Sequence, residues 1–537
     1  MNDSIGSPPG GGAGASGVSE GDDFDPPQAE SETSAANASG RAAVLQIMEA
    51  LHTFWGREPN SEAHGRARQS IMIFVMRLRS ALFSAVILLS LAAAPSAQDN
   101  AWLDAYREPV SKILAEATKD DFAWQRLAYL TDTFGNRLAG SQALTDAIGW
   151  AAAEMARDGI DTVRKDPVKV PHWVRGAESL EVTSPHHLRL PVLGLGLSVG
   201  TPADGIEAEA LVVDSFLTLE QRASEARGKI VVFNEPFKGY GPTVAYRVNG
   251  ASQAAEAGAL AVLVRSVGLD GLRTLHTGML TYREGVPKIP AAAISGEDAD
   301  RLTRMAARGE RIRLKLTMGA EMLPDADSAN VIAEIRGREK PEEIVVVGGH
   351  FDSWDVGAGA TDDGGGAVAA WEVARLLKKL DLRPRRTIRV VLFTNEENGL
   401  RGGLDYRDRY RADLSRHVLM LESDAGVFAP VGFGLSANET ARAQVTAIAA
   451  LLVPINATHV AASGGGADIG PSVTAGRIPA MSLDVDGAKY FLLHHTEADT
   501  VDKIDPADLA KCAAAMAAMA YVVADMPQRL GETTGTR

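Results

Sequence analysis

Short apolar runs alternate with longer amphipathic segments in the second half of the chain. Apolar runs of about four to eight residues predict buried strands, and apolar residues spaced three and four apart predict helices. The predicted strands are residues 344–347, 387–394, 418–421 and 480–485, and the predicted helices are residues 365–380 and 506–526. Buried strands that alternate with amphipathic helices are typical of an α/β fold, in which helices cover both faces of one sheet.

Residues 191–327 have a different periodicity. Short apolar runs predict strands at residues 210–213, 229–233 and 259–264, and an Ala-rich segment at residues 251–258 predicts one short helix. Before this region in the chain, apolar residues at helical spacing predict helices at residues 102–117, 124–130 and 143–155. We therefore predict a catalytic-type domain built from residues 98–190 and 328–530, with residues 191–327 inserted as a small β-rich domain.

The first 97 residues differ in composition from the rest. Residues 1–40 contain no Lys or Arg and are rich in small and acidic residues, which predicts a disordered extension. Arg77 and Arg79 then precede an apolar run at residues 81–94, an order typical of a secretory signal. We expect Met72 or Met76 to be the true start and the exported chain, secreted or periplasmic, to begin near Gln98. An uncleaved membrane anchor and a buried helix are the alternatives.

Composition narrows the classes of protein and of site. A chain of 537 residues is expected to form two or more domains. Its net charge of −15 and pI near 5.3 argue against a nucleic-acid-binding protein, which needs the opposite sign. Cys512 is the only cysteine, so the chain can form neither an intramolecular disulfide, nor a cysteine-rich zinc fold, nor a CxxC redox site. Any bound metal must therefore be held by His, Asp and Glu.

Histidines and carboxylates lie at or near the ends of the predicted strands. They are His350 and Asp352, Asp362 and Asp363 in a glycine-rich turn, Glu396 and Glu397, Asp424, and His494 and His495. Active residues of α/β folds lie at the carboxyl ends of strands, so these side chains are expected to meet. Imidazole and carboxylate ligands without sulfur suit a hydrolytic zinc pair, with manganese or cobalt as alternatives. One of two adjacent glutamates could bind metal while the other acts as a general base.

The order of these motifs resembles that of peptidase family M28, the co-catalytic di-zinc exopeptidases, and within it the carboxypeptidase Q-like group. The motifs are HFD at 350–352, ATDDGGG at 360–366, NEENG at 395–399, ESDAG at 422–426 and HHTEADT at 494–500. Residues 132–141, 172–178 and 330–337 extend the similarity. The resemblance implies a zinc exopeptidase fold, α/β with a mixed, mostly parallel sheet flanked by helices. It also implies that the β-rich insert at residues 191–327 is a protease-associated (PA) domain.

The resemblance further implies the ligands of two zinc ions. His350 and Asp424 would hold one ion, and Glu397 and His495 would hold the other. Asp362 would bridge the two ions with its two carboxylate oxygens.

The remaining roles follow from the same resemblance. Glu396 would be the general base, and Asp352 would be the acidic partner behind His350. His494 would be either a packed neighbour or a donor to the oxyanion. The family pattern also implies a cis peptide bond between Asp362 and Asp363.

Together with the signal-like segment, the resemblance implies a secreted or periplasmic di-zinc metallo-exopeptidase that acts on dipeptides or short peptides. A homodimer is implied by the resemblance alone. Alternatives are an aminopeptidase of broader specificity, a non-catalytic receptor-like relative, and a single-zinc glutaminyl cyclase-like acyltransferase. The glycine-rich loop at residues 463–468 would border the substrate pocket, where Asp468 could attract a free amino terminus.

Overall fold

The computed structural model describes residues 100–532, so the predictions made for residues 1–97 lie outside the described residues. The helices are α1 (Asp104–Ala117), α2 (Phe122–Phe134), α3 (Gln142–Arg157), α4 (Phe216–Gln221), α5 (Ala223–Ala226), α6 (Tyr240–Glu256), α7 (Gly296–Ala307), α8 (Gly365–Lys379), α9 (Arg401–Arg409), α10 (Glu439–Ala449), α11 (Gly470–Gly476), α12 (Tyr490–Leu493) and α13 (Pro506–Asp525). Short 3-10 turns and a π-helical turn, Ala360–Gly364, complete the helical structure described here.

The strands form two eight-stranded sheets. They are β1 (Thr162–Val174), β2 (Glu178–Ser184), β3 (Leu188–Leu190), β4 (Leu193–Gly194), β5 (Ile206–Val213), β6 (Ile230–Phe233), β7 (Ala261–Arg265), β8 (Ala291–Ile294), β9 (Arg313–Met318), β10 (Glu321–Ile335), β11 (Lys340–His350), β12 (Arg386–Phe393), β13 (His417–Glu422), β14 (Pro430–Ser436), β15 (His459–Ala461) and β16 (Ala480–Val485). The first sheet has the order β1-β10-β12-β11-β13-β16-β14-β15. At its centre β12, β11, β13 and β16 run parallel. Strand β10 is antiparallel to β1 and β12, whereas β14 is antiparallel to β16 and parallel to β15.

Both faces of the first sheet are buried, as the apolar runs predict. Val345 and Val347 on β11 pack into the core that holds α8 and α13, while Val346 packs on the opposite face with Tyr406 of α9. Side chains alternate between the two faces of a strand, so an uninterrupted apolar run can serve both layers. The predicted α/β fold with a mixed sheet flanked by helices is therefore confirmed.

Helix α13 forms the centre of one helical layer. In residues 100–532 it is the one helix long and apolar enough to cross a membrane, yet 83% of its most apolar window is buried inside the protein. It packs against α8, α1 and α2. Its apolar sequence is thus accounted for by a place in the core.

The second sheet contains residues between Glu178 and Met318, which we call the second-sheet region. Its strand order is β3-β2-β9-β5-β6-β7-β8-β4, and helices α6 and α7 pack on its opposite faces. These strands begin before residue 191, so β2 and β3 lie in this sheet although the predicted boundary put them in the first domain. Strand β1 was not anticipated because its sequence contains Pro167 and Pro171, which an edge strand tolerates.

Candidate metal centre

The predicted site residues lie together at one edge of the first sheet. His350 is the last residue of β11, Glu396 and Glu397 follow β12, and Asp424 follows β13. These three strands are adjacent and parallel, so their carboxyl ends meet at the same edge. Asp362 reaches this edge from the turn that precedes α8.

The five predicted ligands form two groups that share Asp362. In the first group, His350 Nε2 lies 3.2 Å from Asp362 Oδ1 and 3.4 Å from Asp424 Oδ1. In the second group, His495 Nε2 lies 3.3 Å from Asp362 Oδ2 and 3.0 Å from Glu397 Oε2. Each oxygen of Asp362 thus faces a different histidine and a different carboxylate, as the predicted bridging role requires.

The donor set fits divalent metal ions. Asp362 Oδ2, Glu397 Oε1 and Asp424 Oδ1 are buried and have no hydrogen-bond partner among the described residues. Buried carboxylate oxygens without partners are strongly unfavourable unless a cation compensates them. Imidazole nitrogens and carboxylate oxygens are also the ligands that zinc takes in hydrolytic sites. The site is therefore built for cations rather than for a neutral hydrogen-bond network.

Asp352 holds the loop that carries the two glutamates. Its carboxylate accepts hydrogen bonds from the main-chain N–H groups of Glu396, at 3.2 Å, and Glu397, at 3.3 Å. His350 Nδ1 lies 3.0 Å from the main-chain carbonyl oxygen of Asp352 and 3.8 Å from its carboxylate. The residue does lie behind His350, as predicted, but the nearer acceptor for the imidazole is the main-chain carbonyl. An acceptor at Nδ1 leaves Nε2 free for metal.

Asp499 positions the bridging residue and Asp363 positions His350, and sequence reasoning assigned a role to neither. Asp499 accepts from the main-chain N–H of Thr361 at 2.6 Å and from that of Asp362 at 3.0 Å. Asp363 accepts from the main-chain N–H of His350 at 3.1 Å, and the Asp362–Asp363 peptide bond is cis, as the resemblance implies. Asp499 belongs to the HHTEADT motif, so its place there was the available signal.

Arg137 is a third positioning residue that sequence reasoning did not single out. Its side chain is fully buried and donates to the carbonyl oxygens of Phe351 at 3.0 Å and Ala358 at 2.6 Å. Its main-chain N–H donates to Ser353 Oγ. Arg137 therefore ties together the segment that connects His350 to the turn carrying Asp362.

Burial and neighbouring carboxylates raise the pKa values of the two glutamates, whereas the pKa of Asp362 is lowered, against the effect of its burial, by hydrogen bonds from His350 and His495. Burial raises the pKa of Glu396 well above its usual range, with Asp424 and Glu397 adding to the effect and His350 opposing it. Burial, followed by the charge of Asp362, raises the pKa of Glu397 to about 7. Bound divalent cations reverse such shifts, because they favour the ionised carboxylates.

Comparison with known proteins agrees with this geometry. The model of peptidase family M28 matches residues 330–520. The chain is 48% identical to carboxypeptidase Q of Homo sapiens over 408 residues, which is 76% of this chain and 86% of that protein. The chain belongs to peptidase family M28. It is a metallopeptidase homologous to carboxypeptidase Q, and the predicted family is confirmed.

Two solved structures of peptidases are similar to the M28 peptidase. The crystal structure of a peptidase M28 precursor from Shewanella amazonensis is 37% identical, with a TM-score of 0.76, and the match covers 81% of this chain and 100% of that one. The zinc aminopeptidase from Bacillus subtilis has a TM-score of 0.59 at 20% identity, covering 75% of this chain and 94% of that one. At this low sequence identity, the similarity to the zinc aminopeptidase shows a shared fold alone.

The second-sheet region of the M28 peptidase holds the histidine pair. Thr277 donates its main-chain N–H to the carbonyl oxygen of His495 at 3.0 Å, and its own carbonyl oxygen lies 3.2 Å from His495 Nδ1. His276 Nδ1 lies 2.8 Å from the carbonyl oxygen of His494. These contacts fix the imidazole of His495 with Nε2 toward Asp362. No motif signalled them.

His494 lies beside the predicted ligands of the M28 peptidase. Its ring stacks on His495 with centroids 3.5 Å apart, and its Nε2 lies 3.7 Å from Asp362 Oδ2. Its Nδ1 is buried and has no hydrogen-bond partner among the described residues. Of the two histidines, His495 has the shorter contacts with the carboxylates, which favours it as the ligand.

Asp468 is a buried carboxylate in the glycine-rich loop. It is 1% exposed, and both of its carboxylate oxygens lack a hydrogen-bond partner among the described residues. Its main-chain N–H donates to Glu422 Oε1 at 3.4 Å. Burial, with the charges of Glu422 and Glu396, raises its pKa well above the usual range. Asp468 therefore lies on the Glu396 side of the site.

Proposed function

We propose that this M28 peptidase hydrolyses dipeptides or short peptides at a centre of two divalent ions, with zinc as the native metal. The observation that carries the proposal is the position of Asp362 between His350 and Asp424 on one side and His495 and Glu397 on the other. A carboxylate that presents one oxygen to each of two ligand groups is suited to a two-metal hydrolytic site.

The chain's own residues divide the chemistry between them. Two ions held there would supply Lewis acidity, which polarises a carbonyl oxygen and lowers the pKa of water. Glu396 is the site carboxylate left free of a ligand role, and Asp352 holds it through its main-chain N–H. Glu396 takes the proton from the attacking water and returns it to the amine that leaves.

Exopeptidase action is supported by the relatives and by the acidic surroundings of the site. Carboxypeptidase Q of Homo sapiens is similar over most of its length, which favours cleavage next to a free chain end. A second candidate function is an aminopeptidase of broader specificity, and the position of Asp468 favours it. A buried carboxylate without hydrogen-bond partners can attract the free amino group of a substrate. The signal-like segment at residues 77–97 supports export as the setting of the reaction.

Glu396→Gln tests the general base. The amide keeps the shape of the side chain but cannot accept the proton, so kcat should fall by about 10²–10⁴-fold while the bound metal remains. The control is Glu497→Gln, an exposed glutamate two residues after His495. Metal content and dipeptide hydrolysis are measured on the same samples. Turnover of the Glu396→Gln variant at the wild-type rate, with metal bound, would contradict the assignment.

Blocked substrates test which chain end is required. A dipeptide, its N-acetylated form and its C-terminal amide are compared at equal concentration. A dipeptidase requires both free ends, whereas an aminopeptidase cleaves the amide and is stopped by acetylation. Hydrolysis of a peptide blocked at both ends would contradict exopeptidase action altogether.

A further inference from the structure

One wall of the metal centre comes from the second-sheet region. Helix α6 begins at Tyr240, whose ring lies 5.2 Å from the ring of His494 and stacks on Phe491 at 5.4 Å. Tyr240 is partly exposed. Burial raises the pKa of its phenol, against the lowering effect of Arg247, and the charges of Glu396 and Asp362 raise it further. The phenol of Tyr240 therefore keeps its hydroxyl hydrogen, and it lies close enough to the site to be influenced by the charges of Glu396 and Asp362.

The hydroxyl of Tyr240 has a proton to donate. Arg247 Nη2 donates to its oxygen at 2.6 Å, which occupies one lone pair and leaves the O–H hydrogen pointing elsewhere. Within residues 100–532, no acceptor receives that hydrogen. A hydroxyl that accepts from a guanidinium is also a stronger donor, because hydrogen bonds in a chain polarise one another. Such a group is suited to an anionic oxygen.

Arg247 is a buried cation without a carboxylate partner. The residue is 5% exposed, and it donates to the carbonyl oxygen of Thr277 at 3.3 Å and to Tyr240. Its Nη1 also lies 3.3 Å from His495 Nδ1. No carboxylate of the described residues forms an ion pair with it, and its Nε has no partner among them. A Cβ atom at Gly278 would overlap the guanidinium, so the glycine makes room for it. A buried, unpaired charge is costly, and an anionic ligand would offset that cost.

The other charged side chains of the site are mainly acidic. Two divalent ions would offset the charge of the ligands Asp362, Glu397 and Asp424, so at this wall Arg247 is the protein group with an uncompensated positive charge for a substrate carboxylate. In a dipeptide the terminal carboxylate lies one residue from the scissile carbonyl, close enough for both to be bound in one site.

We propose that Tyr240 is a specificity-determining residue that donates its hydroxyl hydrogen to the terminal carboxylate of the peptide, with Arg247 as its positioning residue. This inference rests on the proposed function, because it names the part of the substrate that the second-sheet region recognises. It assigns that region a direct part in choosing substrates with a free carboxyl end.

Tyr240→Phe tests the proposal on the full-length, metal-loaded enzyme. The substrates are a dipeptide of two apolar residues and its C-terminal amide, and kcat and KM are measured for each. Loss of one hydrogen bond to a charged group should lower kcat/KM for the free dipeptide by about ten- to a hundredfold, through KM. The amide should be cleaved as by the wild-type enzyme. Tyr246→Phe is the matched control, because Tyr246 is also on α6 but packs on Phe216, away from the metal residues.

Arg247 variants test the positioning role. Arg247→Met should lower kcat/KM for the free dipeptide more than for its amide, and Arg247→Lys should restore part of that difference. Any loss that both substrates share measures the contact of Arg247 Nη1 with His495 Nδ1, at 3.3 Å. The double variant should add little to the dipeptide-selective loss, because that part acts through one hydrogen bond. If Arg247→Met fails to fold, Arg247→Lys and Tyr240→Phe still decide the question.

Two results would overturn the inference. One is an equal fall in kcat for the dipeptide and its amide, which would place Tyr240 at the oxyanion instead. The other is a Tyr240→Phe enzyme that behaves like Tyr246→Phe. Either result leaves the proposed function standing if the wild-type enzyme hydrolyses the dipeptide. A metal-loaded wild-type enzyme that hydrolyses neither substrate would instead contradict the proposed function.

Discussion

Asp499→Asn should weaken metal binding without touching a metal ligand. Asp499 is 3% exposed, and its two oxygens hold the main-chain N–H groups of Thr361 and Asp362 at 2.6 and 3.0 Å. Asparagine retains one acceptor oxygen and points an amide donor at the other N–H group. The change therefore removes one hydrogen bond to a charged acceptor. It also places the amide NH₂ group against a main-chain N–H group, so that two donors face each other at the turn that carries the bridging carboxylate.

The size of the effect follows from that lost bond. A hydrogen bond to a charged group contributes about 1.5–3 kcal/mol, and losing it leaves a buried N–H unpaired. Loss of a partner that orients a metal ligand typically lowers metal affinity by about 10–100-fold, which corresponds to a similar free energy. Neutralising Asp499 also relieves its repulsion by Asp362, which acts in favour of the metal-free protein. The stabilisation gained on adding zinc should therefore fall more than the stability of the metal-free protein.

Zinc affinity and unfolding are both measured on the full-length chain. The dissociation constant comes from titration in a zinc buffer set by a chelator, and the free energy of unfolding is measured with and without zinc. Asp502→Asn is the control, because its side chain is 68% exposed and lies three residues away. If Asp499→Asn binds zinc as tightly as Asp502→Asn, the hydrogen bonds to Thr361 and Asp362 do not position the bridging ligand.

Two further predictions separate roles that the geometry distinguishes. His495→Ala should lose bound metal and activity, whereas His494→Ala should keep most of the metal, as metal analysis of the purified variants would show; equal losses would put both histidines on the metal. The other prediction concerns His417, which lies at the opposite end of its strand from the metal centre. Burial lowers the pKa of its imidazole to about 4; the carbonyl oxygen of Asp413 opposes this lowering, and the charge of Arg389 adds to it. Because the unfolded chain takes up the proton first, His417 should destabilise the fold as the pH falls from about 6.5 to 4, by up to about 3 kcal/mol. Urea unfolding of His417→Gln against wild type should show a flatter pH dependence, and parallel curves would refute it.

The fold of the catalytic sheet was predictable because its strands are buried on both faces. Apolar runs such as residues 344–347 and 480–485 carry their own signal, and the strand Ala480–Val485 matches its prediction. Strand β1 carries no such run, since its exposed edge admits prolines and charged residues. Helix α6 begins at Tyr240, well before the predicted residue 251, and its first turn contains Gly241 and Pro242, which are typical of loops and hide the start of the helix.

The predicted ligands could be found because metal chemistry restricts residue type. His350, Asp362, Glu397, Asp424 and His495 are the kinds of residue that bind zinc, and they stand in motifs that resemble those of the family. His350 ends a strand, Glu397 and Asp424 follow strands, Asp362 lies in a glycine-rich turn, and His495 follows the short helix α12. The residues that orient them are not restricted in this way. Arg137 and Asp499 act through main-chain groups, so many sequences could serve, and only their contacts show what they do.

The second-sheet region supplies contacts that orient a predicted metal ligand and that lie outside the sequence motifs. The part of the chain that matches the family model, residues 330–520, contains all five predicted ligands. Yet the contacts that orient His495 come from Thr277, and Arg247 Nη1 lies 3.3 Å from the same imidazole Nδ1. A ligand held on one side by its own loop and on the other by a separate sheet keeps its geometry only while the two sheets stay packed. Substrate selection and metal geometry therefore depend on the same interface, and a substitution there is expected to change both.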